Sequence, residues 1–523
     1  MSGLPLFDLV IIAIYVLIII LTGVYFALRG GGSNNFVSAG GILPAWAVGL
    51  SIFGTYLSSN TFIGVTGKAY GSNWNAFVFS LSIPIAAWIA SKYFVPFYRE
   101  SGSVSAYAHV EKRFGPWARL YMDICYLLTQ LARMASIMFG VSLVLNALTG
   151  IEISYMILTM GVLVTIYTLL GGIEAVIWTD VIQSIVLTLG AILIVIILCI
   201  DVEGGFMGII QKGMVAEKFS LGDFKLSFTT STFWVVILYG IFINLNNFGI
   251  DQSFIQRYHT ANSTSTARKS VWLAAKLYIP VSLLFFFIGT GLWVYYQESP
   301  GKLEPLYEEI ITDIQQGAYY SEILIESYSV DDAEIADRVL PFFMVNRLPQ
   351  GITGILIAAL FAAAMSSVDS SLNSSATIIW SDFYKRYFNQ HPSERESMRV
   401  LKVSTVVWGI LGTFLSLALI GIKSLLDTWW QLSGIFAGGM LGLFLLGFIS
   451  RSTGNTAAKI SVTMGILVIS WMTFPSLIPD NLAYLRSPLH TNMIVVMGTL
   501  SIFLCGIIIS RIIRNSNNRM AEY

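Results

Sequence analysis

Long apolar runs separated by short polar segments fill most of the chain. A helix needs about 20 mostly apolar residues to cross a bilayer, and about thirteen runs approach that length. The predicted spans are 5–28, 43–67, 73–98, 119–147, 153–171, 174–200, 232–256, 271–296, 341–380, 401–422, 427–449, 457–478 and 490–513. This pattern predicts an all-α membrane protein with about 13 transmembrane helices.

Composition agrees with this prediction. The 523 residues are 55% hydrophobic and only 11% charged, whereas soluble proteins carry about 25% charged residues. A water-soluble enzyme and a disordered chain are therefore excluded, and we expect a multi-pass protein of the cell membrane that lies against lipid. Thirty basic residues balance thirty acidic ones, so nucleic acid is not an expected partner. No feature of the sequence specifies an oligomeric state.

The distribution of basic residues predicts the orientation of the spans. An odd number of spans puts the termini on opposite sides, and the positive-inside rule assigns the side richer in Lys and Arg to the cytoplasm. These residues include Arg99, Lys112, Arg113, Arg257, Arg268, Lys269, Lys385, Arg386, Arg395, Arg399, Arg451, Lys459, Arg511 and Arg514. The N-terminus is therefore expected outside and the C-terminus inside, with the long segments 201–231 and 297–340 also outside.

Two predicted spans carry polar clusters at membrane depth, over 51–61 and 244–252. Unwound helix is tolerated there only where it lines an enclosed cavity, and interrupted helices at matching places in two halves indicate an inverted-repeat transporter. The alternative for each cluster is polar contact between helices.

The spacing of the interrupted spans predicts the domain organisation. The two spans are five apart, which predicts a five-plus-five repeat over 43–200 and 232–449 within a single transporter domain, 1–523. An extra helix, 5–28, precedes the repeats, and two helices, 457–513, follow them.

Span 341–380 contains a ladder of hydroxyl groups. Ser366 and Ser370 share one helix face, as do Ala363 and Ser367. Hydroxyl and freed carbonyl oxygens suit a desolvated alkali cation, although small and hydroxylated residues also serve plain helix packing. Both interpretations remain open on this span alone.

Asp180 strengthens the cation interpretation. Gly171 and Gly172 are expected to break the preceding helix, and Asp180 then lies about 9 Å along the next one from Glu174. An intramembrane carboxylate costs at least about 2.5–3.5 kcal/mol and is by default a functional candidate. Asp369 and Ser370 are expected at a similar depth, and sodium explains the neighbouring hydroxyls better than a proton does.

Arg133 is the third intramembrane charge, beside Asp180 and Asp369. It lies close to mid-bilayer and needs an anionic acceptor. That acceptor is either a substrate anion or an internal partner such as Asp180 or Asp369. Lys276 also lies near a span, where its amine can reach the interface. Because these charges include no histidine, an enzyme is not expected.

The segment 171–183, Gly-Gly-Ile-Glu-Ala-Val-Ile-Trp-Thr-Asp-Val-Ile-Gln, and the paired serines 366 and 367 resemble the sodium/solute symporter family. The resemblance covers nearly the whole chain and is greatest to bacterial sodium-coupled sialic acid transporters, through stretches such as Leu57-Ser58-Ser59, Gln256-Arg257-Tyr258 and Phe361-Ala362-Ala363-Ala364. It implies the leucine-transporter-type inverted-repeat fold and sodium-coupled import of a small organic solute.

The resemblance also implies two sodium sites, with Na⁺ as the coupling ion. The family's common site would use backbone oxygens of Gly54, Leu57 and Ala363 and hydroxyls of Ser366 and Ser367. A second site of the sialic acid branch would use Asp180, Ser366 and Ser370. Asp369 stands where that branch has a serine, which makes it a further candidate ligand.

The implied substrate pocket departs from that branch. A sialic acid carboxylate would meet Arg133, with Ser58 and Thr61 as further hydrogen-bonding groups. Tyr56, Ala76 and Ser80 replace a threonine, a phenylalanine and a glutamine of the sialic acid branch, and Asn247 replaces the inner-gate tyrosine of sugar-transporting relatives. The expected substrate is an acidic sugar such as sialic acid, with a neutral sugar, a monocarboxylate or uncoupled facilitation as alternatives.

Overall fold

The computed structural model of the chain describes residues 5–28, 32–57, 60–308, 332–420, 425–475 and 478–521. These residues are helical throughout apart from turns, and within them Leu43 and Ala261 form a single isolated bridge. Eleven described helices are long and apolar enough to cross a membrane, and Ala45–Tyr56 and Ile153–Leu169 are shorter apolar helices. The prediction of an all-helical, multi-pass protein is confirmed.

The helices follow one another with short connections. In chain order they are α1 (Leu6–Leu28), α2 (Ser33–Ser38), α3 (Ala45–Tyr56), α4 (Thr66–Gly71), α5 (Val78–Ile89), α6 (Val95–Ser101), α7 (Ala108–Phe114), α8 (Pro116–Thr149), α9 (Ile153–Asp201), α10 (Gly205–Val215), α11 (Phe233–Ile250), α12 (Gln252–Thr260), α13 (Thr264–Glu298), α14 (Asp332–Arg347), α15 (Ile352–Ile378), α16 (Glu394–Ala418), α17 (Leu425–Ile449), α18 (Asn455–Thr473) and α19 (Met493–Ala521).

Both polar clusters predicted to interrupt a span are sites where a helix breaks. Helix α3 ends at Tyr56, and the next residue, Leu57, has an extended backbone (φ −85°, ψ 118°); a π-helical turn over Asn60–Val65 then leads into α4. Helix α11 ends at Ile250, and the next residue, Asp251, has nearly the same dihedral angles (φ −72°, ψ 119°) and directly precedes α12. The two breaks thus share one backbone conformation.

Helix α15 lies at the centre of the bundle, where it packs against α1, α8, α9 and α16. Every residue from Ala362 to Ile378 is buried, as expected of a helix surrounded by other helices. Its first turn is capped by Asp8 of α1, whose Oδ1 accepts hydrogen bonds of 2.7 Å from the backbone N–H groups of Gly351 and Gly354. Helix α1 thereby fixes the start of the helix that carries the predicted hydroxyl ladder.

A sharp corner at Gly172 divides α9 into two arms, as predicted. Its φ of 59° and ψ of −163° are non-helical, in a region that favours glycine. A Cβ there would lie 2.9 Å from Cα of Phe36 and 2.8 Å from that ring. This corner sets the direction of the second arm, which carries Asp180.

The segment 201–231, predicted as an external loop, is packed against the bundle. It contains α10, which contacts α9 and α13. The ring of Phe219 lies 4.8 Å from that of Trp74, and Nζ of Lys218 donates to the carbonyl oxygen of Tyr70 at 2.6 Å. Residues 309–331 of the second long segment lie outside the described residues.

The interior holds more charge than the sequence analysis assigned to it. Asp123 and Asp382 are 2% and 1% exposed. Arg119 pairs with Asp382 at 2.7 Å and with Glu111 at 2.8 Å, and Arg386 pairs with the same Glu111. This ionic cluster joins α7, α8 and the π-helical continuation of α15 over Ile379–Phe388.

Candidate functional site

One cavity lies between the two helix breaks and contains most of the predicted substrate-binding residues. Tyr56, Thr61, Ser80, Arg133 and Asn247 all line it. The remaining candidate, Ser58, lies outside the described residues. The structure also adds residues that the sequence analysis did not assign to the pocket: Phe79, Thr129, Gln130, Tyr239, Asn246, Asp251, Phe254, Tyr278, Trp429, Trp430 and Ser433.

Two groups of aromatic rings line the cavity. In one group Tyr56 packs against Phe254 and Tyr278, with ring centroids 5.1 and 5.2 Å away. In the other Trp430 lies 5.0 Å from Tyr239 and also stacks on Phe79 at 5.9 Å. Such rings provide apolar surfaces for the body of an organic solute while polar groups fix its orientation.

Arg133 supplies the cavity's positive charge. One guanidinium nitrogen, Nη2, donates to the carbonyl oxygen of Thr55. Thr55 lies in the last turn of α3, just before the break. Among the described residues, no carboxylate lies within 4.0 Å of this guanidinium. An arginine carries five N–H donors, so Arg133 can bind an anion in the cavity.

Asp251 brings a carboxylate to the same cavity at the break between α11 and α12. Its Oδ1 accepts from the backbone N–H of Ser253 at 2.8 Å and from the Ser253 hydroxyl at 2.5 Å, which caps α12. The amide of Gln130 donates to Oδ2 at 3.4 Å. The cavity is therefore lined by both signs of charge.

The candidate ligands of the first sodium site converge where α3 ends against α15. The hydroxyl of Ser367 donates to the carbonyl oxygen of Leu57 at 3.4 Å. Gly54 lies so close to α15 that a Cβ there would be 3.2 Å from Oγ of Ser366. Ala363 lies one turn before Ser367 and is buried. Carbonyl and hydroxyl oxygens of this kind are hard ligands that suit an alkali cation.

Asp180 occupies the centre of a buried polar cluster on the adjacent side of α15. Its Oδ1 accepts from Ser366 at 2.5 Å, and its Oδ2 accepts from Ser51 and pairs with Arg257 at 2.9 Å. The same Nη2 of Arg257 donates to Ser370 at 2.6 Å. The predicted second set of ligands is thus brought together, with a guanidinium lying between Asp180 and Ser370.

Arg257 was counted among the basic residues of the cytoplasmic side, but its side chain does not lie at the protein surface. Its side chain is 0% exposed. The count of basic residues on each side assumes a straight span that ends near residue 256. In the structure the helix is interrupted at Asp251, and α12 continues inside the protein. The polar residues over 244–252 could have indicated that Arg257 is buried, because a chain that follows a helix break can stay inside the bundle.

Asp369 is hydrogen-bonded to Tyr167 and to Ser370, a member of the Asp180 cluster. Its Oδ2 accepts from the hydroxyl of Tyr167 at 2.5 Å, and its Oδ1 accepts from Ser370 at 3.3 Å. Asp180 therefore pairs with Arg257, and Asp369 accepts a hydrogen bond from Tyr167. Neither is the internal partner that the sequence analysis considered for Arg133.

Comparisons with known proteins agree with this architecture. The profile described as the sodium:solute symporter family matches residues 36–465. The chain is 33% identical to the sodium/sialic acid symporter NanT of Aliivibrio fischeri, covering 96% of this chain and 92% of that protein. It is 34% identical to the sodium/sialic acid symporter SiaT of Proteus mirabilis, covering 94% and 92%. A sodium/glucose cotransporter of Vibrio parahaemolyticus is 29% identical over 95% of this chain and 90% of that protein.

Solved structures give the same result. A Na⁺-coupled sialic acid symporter in a substrate-bound, outward-open state superposes with a TM-score of 0.84 at 31% identity, covering 97% of this chain and 98% of that one. A nucleobase-cation-symport-1 transporter shares the fold, with a TM-score of 0.53 at 12% identity over 92% and 94%. The chain therefore belongs to the sodium:solute symporter family, whose transporters use Na⁺ as the coupling ion.

Proposed function

We propose that this protein is a sodium-coupled symporter that imports a small organic acid, an acidic sugar such as a sialic acid. The observation that carries the proposal is Arg133, a cavity-lining guanidinium with no carboxylate partner within 4.0 Å among the described residues. The two relatives named as sodium/sialic acid symporters match more than nine-tenths of the chain, which supports the same substrate class.

The proposed substrate site is the cavity between the two helix breaks. Arg133 would bind the carboxylate, and the other polar contacts would come from Tyr56, Ser58, Thr61, Ser80 and Asn247. Asp251 and Gln130 line the cavity together with Arg133. The carboxylate of Asp251 can accept hydrogen bonds from the hydroxyl groups of a sugar, and the side-chain amide of Gln130 can donate to them.

Tyr56 supports an altered substrate pocket. The resemblance places a threonine at this position in the sialic acid branch, whereas here a tyrosine ring lines the cavity and packs on Phe254 and Tyr278. This ring would restrict the solute that fits, so the substrate need not be the sialic acid that the relatives carry.

The proposed first sodium site would bind the ion through Gly54, Leu57, Ala363, Ser366 and Ser367. An ion there would tie α3 to α15 and favour the outward-open state, which raises substrate affinity because the ion binds that state more tightly. Low internal sodium and the membrane potential, about 2.3 kcal/mol per charge per 100 mV, would then favour ion release inside.

The proposed second sodium site would use Asp180, Ser366 and Ser370, with Asp369 as the neighbouring carboxylate. A sodium ion at this place has to share Asp180 with Arg257, since the guanidinium already bonds Asp180 and Ser370. We therefore propose that occupation of this site involves movement of the Arg257 side chain.

We propose thirteen crossings by counting the two shorter apolar helices, Ala45–Tyr56 and Ile153–Leu169, with the eleven longer ones. The N-terminus would be outside and the C-terminus inside, in a bacterial inner membrane. The repeats would span 43–200 and 232–449 within one domain, 1–523, with 5–28 and 457–513 as additional helices.

Ligand stabilisation of the purified protein tests the substrate class. In sodium buffer, thermal unfolding is measured with sialic acids, uronic acids, monocarboxylates and neutral sugars, since a ligand at about 100 times Kd stabilises by roughly 2.7 kcal/mol. Acidic sugars should raise Tm and neutral sugars should not. Stabilisation by a neutral sugar alone would reject the role of Arg133.

Uptake into proteoliposomes tests the coupling. Accumulation of the labelled solute should require an inward sodium gradient and fall when potassium or choline replaces sodium. Equal uptake without sodium would identify an uncoupled facilitator instead.

A further inference from the structure

A basic groove lies on the outer surface of the bundle, away from the substrate cavity. It is lined by Arg268, Lys269 and Lys276 of α13, with the indoles of Trp46 and Trp272 beside them. On a helix with 3.6 residues per turn, positions 268, 269, 272 and 276 fall on one face. The three cations are therefore presented together.

The three cations have no protein partner in the part of the chain that the structure describes. No ion pair or hydrogen bond joins any of these side chains to another residue, and all three are exposed. The groove's lining contains no Asp or Glu. Its positive charge is therefore uncompensated by protein.

The position of the groove along α13 matches the headgroup region of a bilayer. The helix has 35 residues and is about 52 Å long, whereas the hydrocarbon core is about 30 Å thick. Its first turns therefore extend into the interface. Lys276 lies about 18 Å from the first residue of the helix, where a lysine must reach back toward the headgroups to keep its charge solvated.

Both indoles of the groove are held in place by contacts with neighbouring helices. Trp46 packs edge-on against Trp178 at 5.5 Å, and the indole N–H of Trp272 donates to Ser91 at 3.1 Å. Tryptophan is favoured at membrane interfaces, and here both rings are held by protein contacts. They flank the cations with surfaces that suit the glycerol and upper acyl region of a lipid.

We propose that this groove binds the headgroup of an anionic phospholipid, with the phosphodiester held by Arg268, Lys269 and Lys276. Charge complementarity favours an anion, because basic pockets between helices at the membrane surface bind acidic headgroups. The flanking indoles and the position on the lipid-facing surface favour a lipid over free phosphate. Trp46 lies on α3, so the bound lipid contacts the helix that ends at Tyr56.

Binding is tested on the full-length protein purified in neutral detergent, with phosphatidylglycerol as the probe and native mass spectrometry as the readout. Separate arms contain phosphatidylcholine and inorganic phosphate. Each basic residue near the membrane surface contributes about fivefold to affinity. The triple variant R268Q/K269Q/K276Q should therefore bind phosphatidylglycerol about a hundredfold more weakly, and K276Q alone about fivefold more weakly.

The matched control is R395Q/R399Q/K402Q, which removes three exposed basic residues from the start of α16 and should bind as the wild type does. The single variant tests the groove even if the triple variant does not fold. Equal binding of phosphatidylcholine, full competition by inorganic phosphate, or unchanged binding by K276Q and the triple variant would each overturn the proposal.

Discussion

Two arginines inside the helix bundle, the buried Arg257 and the partly buried Arg133, differ in how many protein groups bind them. Arg257 contacts an anionic carboxylate, the hydroxyls of Ser51 and Ser370, and the carbonyl oxygen of Ser253 at 2.7 Å. Arg133 has a single carbonyl contact among the described residues and lines a cavity. The sequence analysis placed Arg133 close to mid-bilayer and counted Arg257 on the cytoplasmic side, so it did not foresee this contrast.

The difference teaches that the number of hydrogen-bond acceptors around an arginine inside the bundle indicates its role. An arginine surrounded by protein acceptors stabilises the structure, whereas one with few acceptors is available to bind a ligand. A buried charge without a partner is costly, so a guanidinium that has its acceptors is part of the architecture. One that lacks them depends on a cavity, on water and on an incoming anion.

The largest effect is expected from Arg257→Gln. It leaves Asp180 as an uncompensated buried charge, which typically costs about 3–5 kcal/mol of the free energy of unfolding. Thermal and denaturant unfolding in detergent measure it. The double variant R257Q/D180N removes both charges and should recover much of the loss. Equal destabilisation by Arg133→Gln would erase the distinction between the two arginines.

Arg133→Gln should leave stability nearly unchanged but weaken the binding of a carboxylated solute. Loss of a charged hydrogen bond of about 1.5–3 kcal/mol corresponds to roughly ten- to hundredfold in Kd. Titration calorimetry with the solute found in the stabilisation screen measures this change. Arg133→Lys should bind with intermediate affinity because lysine lacks the planar fork. Unchanged affinity in the glutamine variant would return Arg133 to a structural role.

A smaller effect is expected at the proposed first sodium site. Ser367→Ala removes one hydroxyl ligand, worth about 1 kcal/mol, so the sodium concentration for half-maximal uptake should rise roughly fivefold. Ser371→Ala is the matched control, because its hydroxyl lies one turn further on and donates to the Ser367 carbonyl at 2.9 Å. A wild-type sodium curve for Ser367→Ala would argue against this ligand.

The smallest effect concerns Glu111, whose ion pairs are partly exposed to solvent. Burial alone would raise the pKa of this carboxyl, but hydrogen bonds from Arg119 and Arg386 outweigh it and lower the pKa below its usual 4.5. The ion pairs therefore stabilise the protein above the ordinary pKa, and the contribution is lost as pH falls through the lowered value. Acidification below pH about 4.5 should destabilise the wild type more than Glu111→Gln, by under about 1 kcal/mol. Parallel stability–pH curves for both proteins would contradict this expectation.

Much of the fold was predictable because membrane spans are specified by length and hydropathy alone. The first predicted span, 5–28, corresponds to α1 over Leu6–Leu28, and the predicted glycine break falls at Gly172. The span predicted as 43–67 is a helix that ends at Tyr56, since hydropathy does not register a change of backbone direction. The packed segment over 201–231 was missed for a similar reason: its contacts are tertiary.

The candidate site was predictable where polar residues interrupt an apolar run. The hydroxyls of Ser366 and Ser370 and the carboxylate of Asp180 stood out in this way and lie together. Tyr239 and Trp430 did not, because an aromatic ring in a span is equally suited to lipid, core or cavity. The burial of Arg257 was not predictable, because it depends on the path of α12 after the break.

The matched dihedral angles at Leu57 and Asp251 have a consequence for how the side chains at the two helix breaks can differ. An extended backbone of this kind is accessible to any L-residue, so the bend places no demand on the side chain that occupies it. One corner carries an aliphatic residue and presents its main-chain oxygen, whereas the other carries an acid that caps the following helix. The backbone bend can thus stay the same at both positions while the side chain at each position changes independently of the other.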